Sequence, residues 1–84
     1  MIALKEARKR ANRYARKEHC RITDRSFEID DEWAFDTIDL SGEIVDANLP
    51  TILVNKESGA IRTVRLPSAE GFRIMHGKTL VNED

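Results

Sequence analysis

A β-hairpin signal between residues 50 and 62 constrains the fold of this chain more than any other feature. An apolar Ile-Leu-Val run meets the polar segment Asn-Lys-Glu-Ser and returns through an Ala-Ile pair. These polar residues tolerate turn geometry, and Gly59 can adopt the positive φ that such a turn requires. The pattern therefore predicts antiparallel strands at 51–55 and 60–66, which define a fold and not a reaction.

The N-terminal residues 2–19 carry apolar residues at a helical period. One face of the predicted helix collects Ala3, Leu4, Ala7, Ala11, Tyr14 and Ala15. Alanine favours the helix and lets it lie close to whatever it covers, but so thin an apolar stripe cannot stabilise a helix alone. We therefore expect this helix to pack on a sheet.

Two more strands are predicted between the helix and the hairpin, at 21–29 and 33–40, because both stretches are rich in β-branched and aromatic residues. The polar Asp30-Asp31-Glu32 segment between them is predicted to be a turn, and residues 43–49 a loop.

Alternation along the second of these strands predicts which of its side chains enter the core. Trp33 and Phe35 share one face, which we expect to point inward, whereas the face that carries Ala34 and Asp36 suits solvent.

A short helix is predicted near the C-terminus. Pro67 should end the last strand because it cannot donate to a sheet, and Ser68 is placed to cap the helix that follows. Gly77 is the expected C′ residue, and Phe72 and Met75, three positions apart, are the expected core contacts.

The predicted fold class is α+β, with the N-terminal helix packed on a roughly four-stranded antiparallel sheet and a short C-terminal helix. Residues 1–84 suit a single domain, with residues 81–84 frayed at its end. The lone Cys20 cannot form an internal disulfide, and no signal peptide or membrane segment is recognisable. We therefore expect a soluble, cytoplasmic protein.

Charge is strongly segregated along the sequence although the net charge is only −1. Residues 1–25 hold nine basic and three acidic residues, a net of +6. Residues 26–48, which we call the acidic segment, hold eight acidic residues and no basic one, a net of −8. Residues 49–84 hold five basic and four acidic residues, a net of +1. Two oppositely charged surfaces are therefore candidates for binding.

The first candidate is the side of the predicted helix opposite its alanines. We call this surface the basic face; its residues are Lys5, Lys9, Arg13 and Arg16. It fits a solvated helix face partly neutralised by the protein's own acids, a nucleic-acid-binding surface, or a contact with a protein partner. The sequence pI of about 6.1 and the acidic segment argue against phosphate as the counter-charge.

The second candidate is a set of carboxylates within the acidic segment. We predict that a basic surface on a protein partner contacts this acidic set, whose members are Asp30, Asp31, Glu32, Asp36, Glu43 and Asp46. The alternative is a solvated turn with charged strand edges that discourage aggregation. The spacing lacks the ordered ligands and the glycine of a calcium loop, so no metal is predicted here.

No arrangement of residues predicts catalysis. His19 and Cys20 are adjacent, but neighbours at a helix end project in different directions, and catalytic groups are brought together by the fold. Two histidines and one cysteine without metal-ligand spacing do not predict a zinc site. We therefore expect a protein that is not an enzyme, with no catalytic residue, cofactor or metal.

The ordered elements resemble the YrhB-like family of small bacterial immunity proteins, which look like a half-sized relative of PepSY-type domains. The family pattern is a helix with spaced alanines, a W-x-F strand, and a proline followed by an apolar strand and a D/N-K-x-S/T-G-x-I turn. The matching residues here are Ala3, Ala7, Ala11, Ala15, Trp33, Phe35, Pro50, Ile52, Val54, Asn55, Lys56, Ser58, Gly59 and Ile61. The resemblance covers roughly residues 2–64.

This resemblance implies a cytoplasmic α+β domain with one helix on an antiparallel sheet. It also implies a role without catalysis, in which the protein binds and neutralises a toxin encoded beside it. The family offers no catalytic residues to carry over. Charge segregation of the kind seen here would steer association with an oppositely charged partner.

Overall fold

The computed structural model describes residues 1–40, 49–65 and 68–81, and these form an α+β fold. In chain order the elements are α1 (Leu4–Lys17), β1 (Cys20–Ile22), β2 (Ser26–Ile29), β3 (Glu32–Phe35), β4 (Thr37–Asp39), β5 (Thr51–Asn55), β6 (Ile61–Val64), α2 (Ala69–Gly77) and β7 (Thr79–Val81). Five strands form an antiparallel sheet in the order β6-β5-β3-β2-β7, and β1 pairs with β4 in a separate two-stranded ribbon.

Each of the two long strands predicted after the helix is broken into two. The chain bends between β1 and β2 and again at Asp36, and the backbone N–H of Thr23 donates to the Asp36 carbonyl across the two breaks at 2.9 Å. The breaks free β1 to pair with β4 beside α1, where Cys20 and Ile22 are buried. The predicted turn is also shorter, because Glu32 already belongs to β3.

The core on one side of the sheet forms beneath the alanines of α1. Ala7, Ala11 and Ala15 are fully buried in one cluster with Phe35 and other residues of the sheet and the ribbon. The absence of longer side chains along this stripe lets α1 lie close to β3 and β5, as the sequence predicts. Trp33 packs against the same cluster, so the prediction that Trp33 and Phe35 face the core is confirmed.

The opposite face of the sheet is also covered, contrary to the sequence prediction. Ala34, on the face of β3 opposite Trp33 and Phe35, is fully buried in a second cluster with Ile29, Leu53 and Ile74 of α2. The sheet is therefore a middle layer between two helices. A run of consecutive apolar residues, as in β5, is typical of a strand buried on both faces.

The second helix begins as predicted but faces the sheet differently. The Ser68 hydroxyl caps it by accepting a hydrogen bond from the Gly71 N–H at 2.9 Å. Phe72 and Met75 are 51% and 44% exposed, so the prediction that they contact the core is wrong. Gly71 and Ile74 are buried instead, because the side of α2 that carries them faces the sheet.

The C-terminal end of α2 also differs from the prediction. Gly77 lies inside the helix, and Lys78, in an extended conformation, is the C-cap residue. The chain then forms β7, which pairs with β2, so Val81 is part of the sheet and not frayed. Pro67, the predicted loop up to residue 48, and residues 82–84 lie outside the described residues.

The hairpin is confirmed. β5 and β6 pair antiparallel with Thr51 opposite Val64. The Asn55 side-chain oxygen accepts from the N–H groups of Glu57 and Ser58 at 2.8 and 2.9 Å, and Gly59 has a φ of +77°. The turn chemistry read from the sequence therefore forms as expected.

Candidate functional site

A chain of ion pairs fastens α2 to the sheet. Arg62 of β6 donates to Glu32 of β3 at 2.7 Å and to Glu70 of α2 at 2.6 Å. Arg73 of α2 donates to Asp30 at 2.9 Å and approaches Glu70 at 3.4 Å. We call these five residues the charge network; it links the β2–β3 turn, β3, β6 and α2.

Hydrogen bonding within the charge network shifts the proton affinity of its members. The bonds from Arg62, and secondarily from Arg73, lower the pKa of Glu70. The carboxylate of Glu32, followed by that of Glu70, raises the pKa of Arg62, and hydrogen bonds to Asp30 and Glu70 raise that of Arg73. The pKa shifts of Glu70, Arg62 and Arg73 therefore favour the charged form of each of these three groups.

Two lysines from the C-terminal half neutralise further carboxylates. Lys78 donates to Asp36 at 2.7 Å and lies 4.2 Å from the centre of the Phe27 ring. Lys56 donates to Glu28 at 2.9 Å and lies 4.4 Å from the centre of the Trp33 indole. The counter-charges of Glu28, Asp30, Glu32 and Asp36 thus come from residues 56–78.

The structure divides the predicted acidic set. Asp30, Glu32 and Asp36 are engaged in the ion pairs described above. Asp31 is exposed, and its backbone carbonyl accepts from the Lys56 N–H at 2.8 Å. Glu43 and Asp46 lie outside the described residues. Binding of a partner by this set stays a prediction. For such binding, three of its carboxylates would have to leave a basic residue of this chain and pair with one of the partner.

The basic face is arranged differently. Its four residues are exposed on the side of α1 that points away from the buried alanines: Lys5, Lys9, Arg13 and Arg16. Within the part of the chain that the structure describes, none of the four forms an ion pair; the pair seen on α1 joins Glu6 to Arg10 at 3.1 Å. Four cations therefore lie along roughly 16 Å of helix without an observed counter-charge, given a rise of about 1.5 Å per residue.

Arg8 is a basic residue of α1 with a structural role that sequence reasoning missed. Its guanidinium donates to the Ser26 hydroxyl at 2.7 Å and to the Thr23 carbonyl at 3.1 Å, and lies 5.7 Å from the centre of the Phe35 ring. It thereby ties α1 to the bend between β1 and β2. In the sequence, the position of Arg8 at the border between the alanine stripe and the basic face could have indicated this structural role.

His19 and Cys20 do not form a pair, as expected from their adjacency. His19 is exposed with a φ of +60°, whereas Cys20 is fully buried and its thiol donates to the Ala15 carbonyl at 3.3 Å. Burial raises the pKa of the Cys20 thiol, which disfavours the reactive thiolate. In residues 1–40, 49–65 and 68–81, no three His, Cys, Asp or Glu side chains are grouped so as to hold a metal ion.

A cleft of about 250 Å³ lies between α2 and the sheet. Ile74 and Met75 line it from the helix, Val64 lines it from β6, and the paired Asp36 and Lys78 supply its charged groups. Because those two charges neutralise each other, the cleft presents a mainly apolar surface.

No described helix has the length and apolar character needed to cross a membrane. Comparisons of the chain with models of protein families, with curated proteins and with solved structures find no match.

Proposed function

We propose that this chain is a YrhB-like bacterial immunity protein, a cytoplasmic protein without catalytic activity that binds and neutralises a cognate toxin. The ordered pattern of spaced alanines, W-x-F strand and glycine turn supports the proposal. In the fold these residues build the α1–sheet interface and the β5–β6 turn. They would therefore specify the scaffold, while the toxin would be recognised by exposed residues.

The observation that carries the proposal is the three-dimensional distribution of charge. The described acids of β2 and β3 are largely paired with C-terminal cations, whereas the basic face has no ion pair among the described residues. A surface of one charge sign steers an oppositely charged protein toward it and raises the association rate. Neutralisation by binding requires such a surface and no reactive group.

A nucleic-acid-binding module is the second candidate, and the same exposed cations favour it. Two features weigh against it: the acidic segment carries a net −8, and Tyr14, the aromatic residue of α1, packs against the core and is not free to stack on a base. We therefore rank protein binding first.

Co-expression tests the proposed function. The protein encoded beside this chain would be expressed in a bacterial host alone and together with the chain. We expect it to arrest growth alone, growth to recover with the chain, and the two purified proteins to co-elute from a sizing column. Growth arrest that the chain does not relieve, together with separate elution, would reject the immunity function.

Anisotropy of a labelled 20-base-pair DNA and of a single-stranded RNA tests the second candidate. We expect little binding at any salt concentration. Tight binding that weakens steeply between about 50 and 200 mM salt would favour the nucleic-acid module, because phosphate contacts release counterions.

A further inference from the structure

The basic face opposes the formation of α1 and forms no ion pair with the residues that the structure describes. Lys5, Lys9 and Arg13 follow one another at four-residue spacing, and like charges at that spacing destabilise a helix. Lys5 also lies in the first turn, where the helix dipole disfavours a cation. The folded chain therefore places these charges where they oppose helix formation.

The attachment of α1 does not need these charges. Its inner side is anchored by the buried alanines and by Arg8, which reaches the Ser26 hydroxyl and the Thr23 carbonyl. Four positions on its outer side are basic nonetheless. An unfavourable arrangement of this kind indicates a counter-charge that the described part of the chain does not supply.

Four cations in the second half of the sequence provide a comparison. Lys56, Arg62, Arg73 and Lys78 all lie in the second half of the sequence, and all of them form ion pairs with carboxylates at 2.6–2.9 Å. The basic residues that connect elements of the fold therefore each have a carboxylate partner. By contrast, the basic face forms no ion pair among the described residues, a property that it shares with the exposed Lys17, Arg21 and Arg25.

The dimensions of the basic face suit a protein patch better than a nucleic acid. It is one helix wide and roughly 16 Å long, because eleven steps of about 1.5 Å separate Lys5 from Arg16. Exposed Glu6 and Glu18 border it, and residues 26–84 carry a net −7, the sum of the −8 and +1 of their two parts. A long phosphate backbone would run past the patch into this negative region, whereas a compact acidic patch would not.

We infer that the basic face of α1 is the docking surface for an acidic patch on the partner protein; this inference rests on the proposed function. Arg13 and Arg16 can each hold a carboxylate through two parallel N–H bonds. Lys5 and Lys9 act as point charges that steer the encounter. The docking surface is thus on α1, on the opposite side of the sheet from α2 and the charge network.

Charge reversal on the basic face tests this assignment. The variant Lys9→Glu/Arg13→Glu should fold, because both positions are exposed and each substitution gains an opposite charge four residues away. Circular dichroism and thermal unfolding would check the fold. The matched control is Arg21→Glu/Arg25→Glu, which changes the net charge equally at two exposed positions outside α1.

Stopped-flow association with the purified neighbouring protein is the measurement. We expect the α1 variant to associate at least about 10-fold more slowly than wild type at low salt, with a smaller difference at high salt, because steering is screened. The control should stay within about 3-fold of wild type. Growth rescue should fail for the α1 variant and persist for the control.

Each other outcome overturns the inference in a distinguishable way. If both variants bind and rescue like wild type, the docking surface lies elsewhere and the immunity function stands. If both variants are equally impaired, overall charge and not α1 decides binding. If wild type neither binds nor rescues, the proposed function fails and the inferred docking fails with it. If wild type binds the 20-base-pair DNA and the α1 variant does not, the face is correct but its partner is nucleic acid.

Discussion

At the scale of single residues, the backbone geometry at Gly59 disfavours substitution by a residue with a side chain. Its φ of +77° falls in the left-handed region that side chains with a Cβ resist. Space is restricted as well, since a Cβ added there would collide with the side chains of Arg10 and Ile2. The hairpin turn and the N-terminal segment therefore pack closely, and a Cβ at this point would displace the flexible ends of those two side chains.

We predict that Gly59→Val lowers the free energy of unfolding by about 2 kcal/mol, because a β-branched side chain resists the left-handed backbone at this position. Urea unfolding followed by circular dichroism measures the change. The control is Ala60→Val at the neighbouring exposed position, where a β-branched residue precedes a strand and should alter stability by no more than about 0.5 kcal/mol. Equal stability of Gly59→Val and wild type would contradict the turn geometry.

At the scale of elements, α2 is held by one apolar side chain and by charge. Ile74 is 2% exposed and packs in the cluster with Ile29, Ala34 and Leu53. Phe72 lies on the outer side of α2 and is half exposed. Its ring stacks on the His76 imidazole, with 6.5 Å between the ring centres. Ile74, and not the larger Phe72, therefore attaches α2 to the sheet.

We predict that Ile74→Ala costs about 2–4 kcal/mol of unfolding free energy, since it removes buried methyl groups and leaves a cavity against β5. Phe72→Ala, the matched truncation on the outer side of the same helix, should cost no more than about 0.5 kcal/mol. Denaturant unfolding of both variants measures the contrast. A larger loss for Phe72→Ala than for Ile74→Ala would mean that α2 faces the sheet as the sequence alone suggested.

At the scale of the whole molecule, the charge network ties four parts of the fold together and makes its stability depend on pH. Arg62 and, to a lesser extent, Arg73 hold the pKa of Glu70 below its ordinary value of 4.5. A carboxylate with a lowered folded pKa binds fewer protons in the folded state than in the unfolded one. Its contribution is therefore complete above the unfolded pKa and is lost as pH falls through the lower, folded value.

We predict that the free energy of unfolding declines as pH falls below about 4.5, and that Glu70→Gln declines less steeply than wild type over the same range. The difference between the two proteins should be largest near neutral pH and should shrink toward pH 3. Urea unfolding at successive pH values measures it. Glu57→Gln, at an exposed turn carboxylate without an ion pair among the described residues, should parallel wild type. Parallel curves for Glu70→Gln and wild type would show that the pairing adds nothing to stability.

The sequence by itself determined the parts of this protein that depend on short-range chemistry. The alanine period of α1, the Ser68 cap and the positive φ of Gly59 each involve residues within one or two turns of chain, so pattern and turn preference were enough to predict them. The inward orientation of Trp33 and Phe35 followed from alternation within one strand. The residues of the basic face were also identifiable, because helical period placed them opposite the alanines.

Only the tertiary structure decided which distant residues meet. Arg73 lies 43 positions from Asp30, and Lys78 lies 42 positions from Asp36, so no local pattern could pair them. The burial of Ala34 likewise depended on α2 returning to the second face of the sheet. The fold places cations of the C-terminal half beside the carboxylates of residues 28–36, and in the part of the chain that the structure describes it leaves the basic face without an ion pair, because ion pairing requires side chains to meet in space and not in sequence.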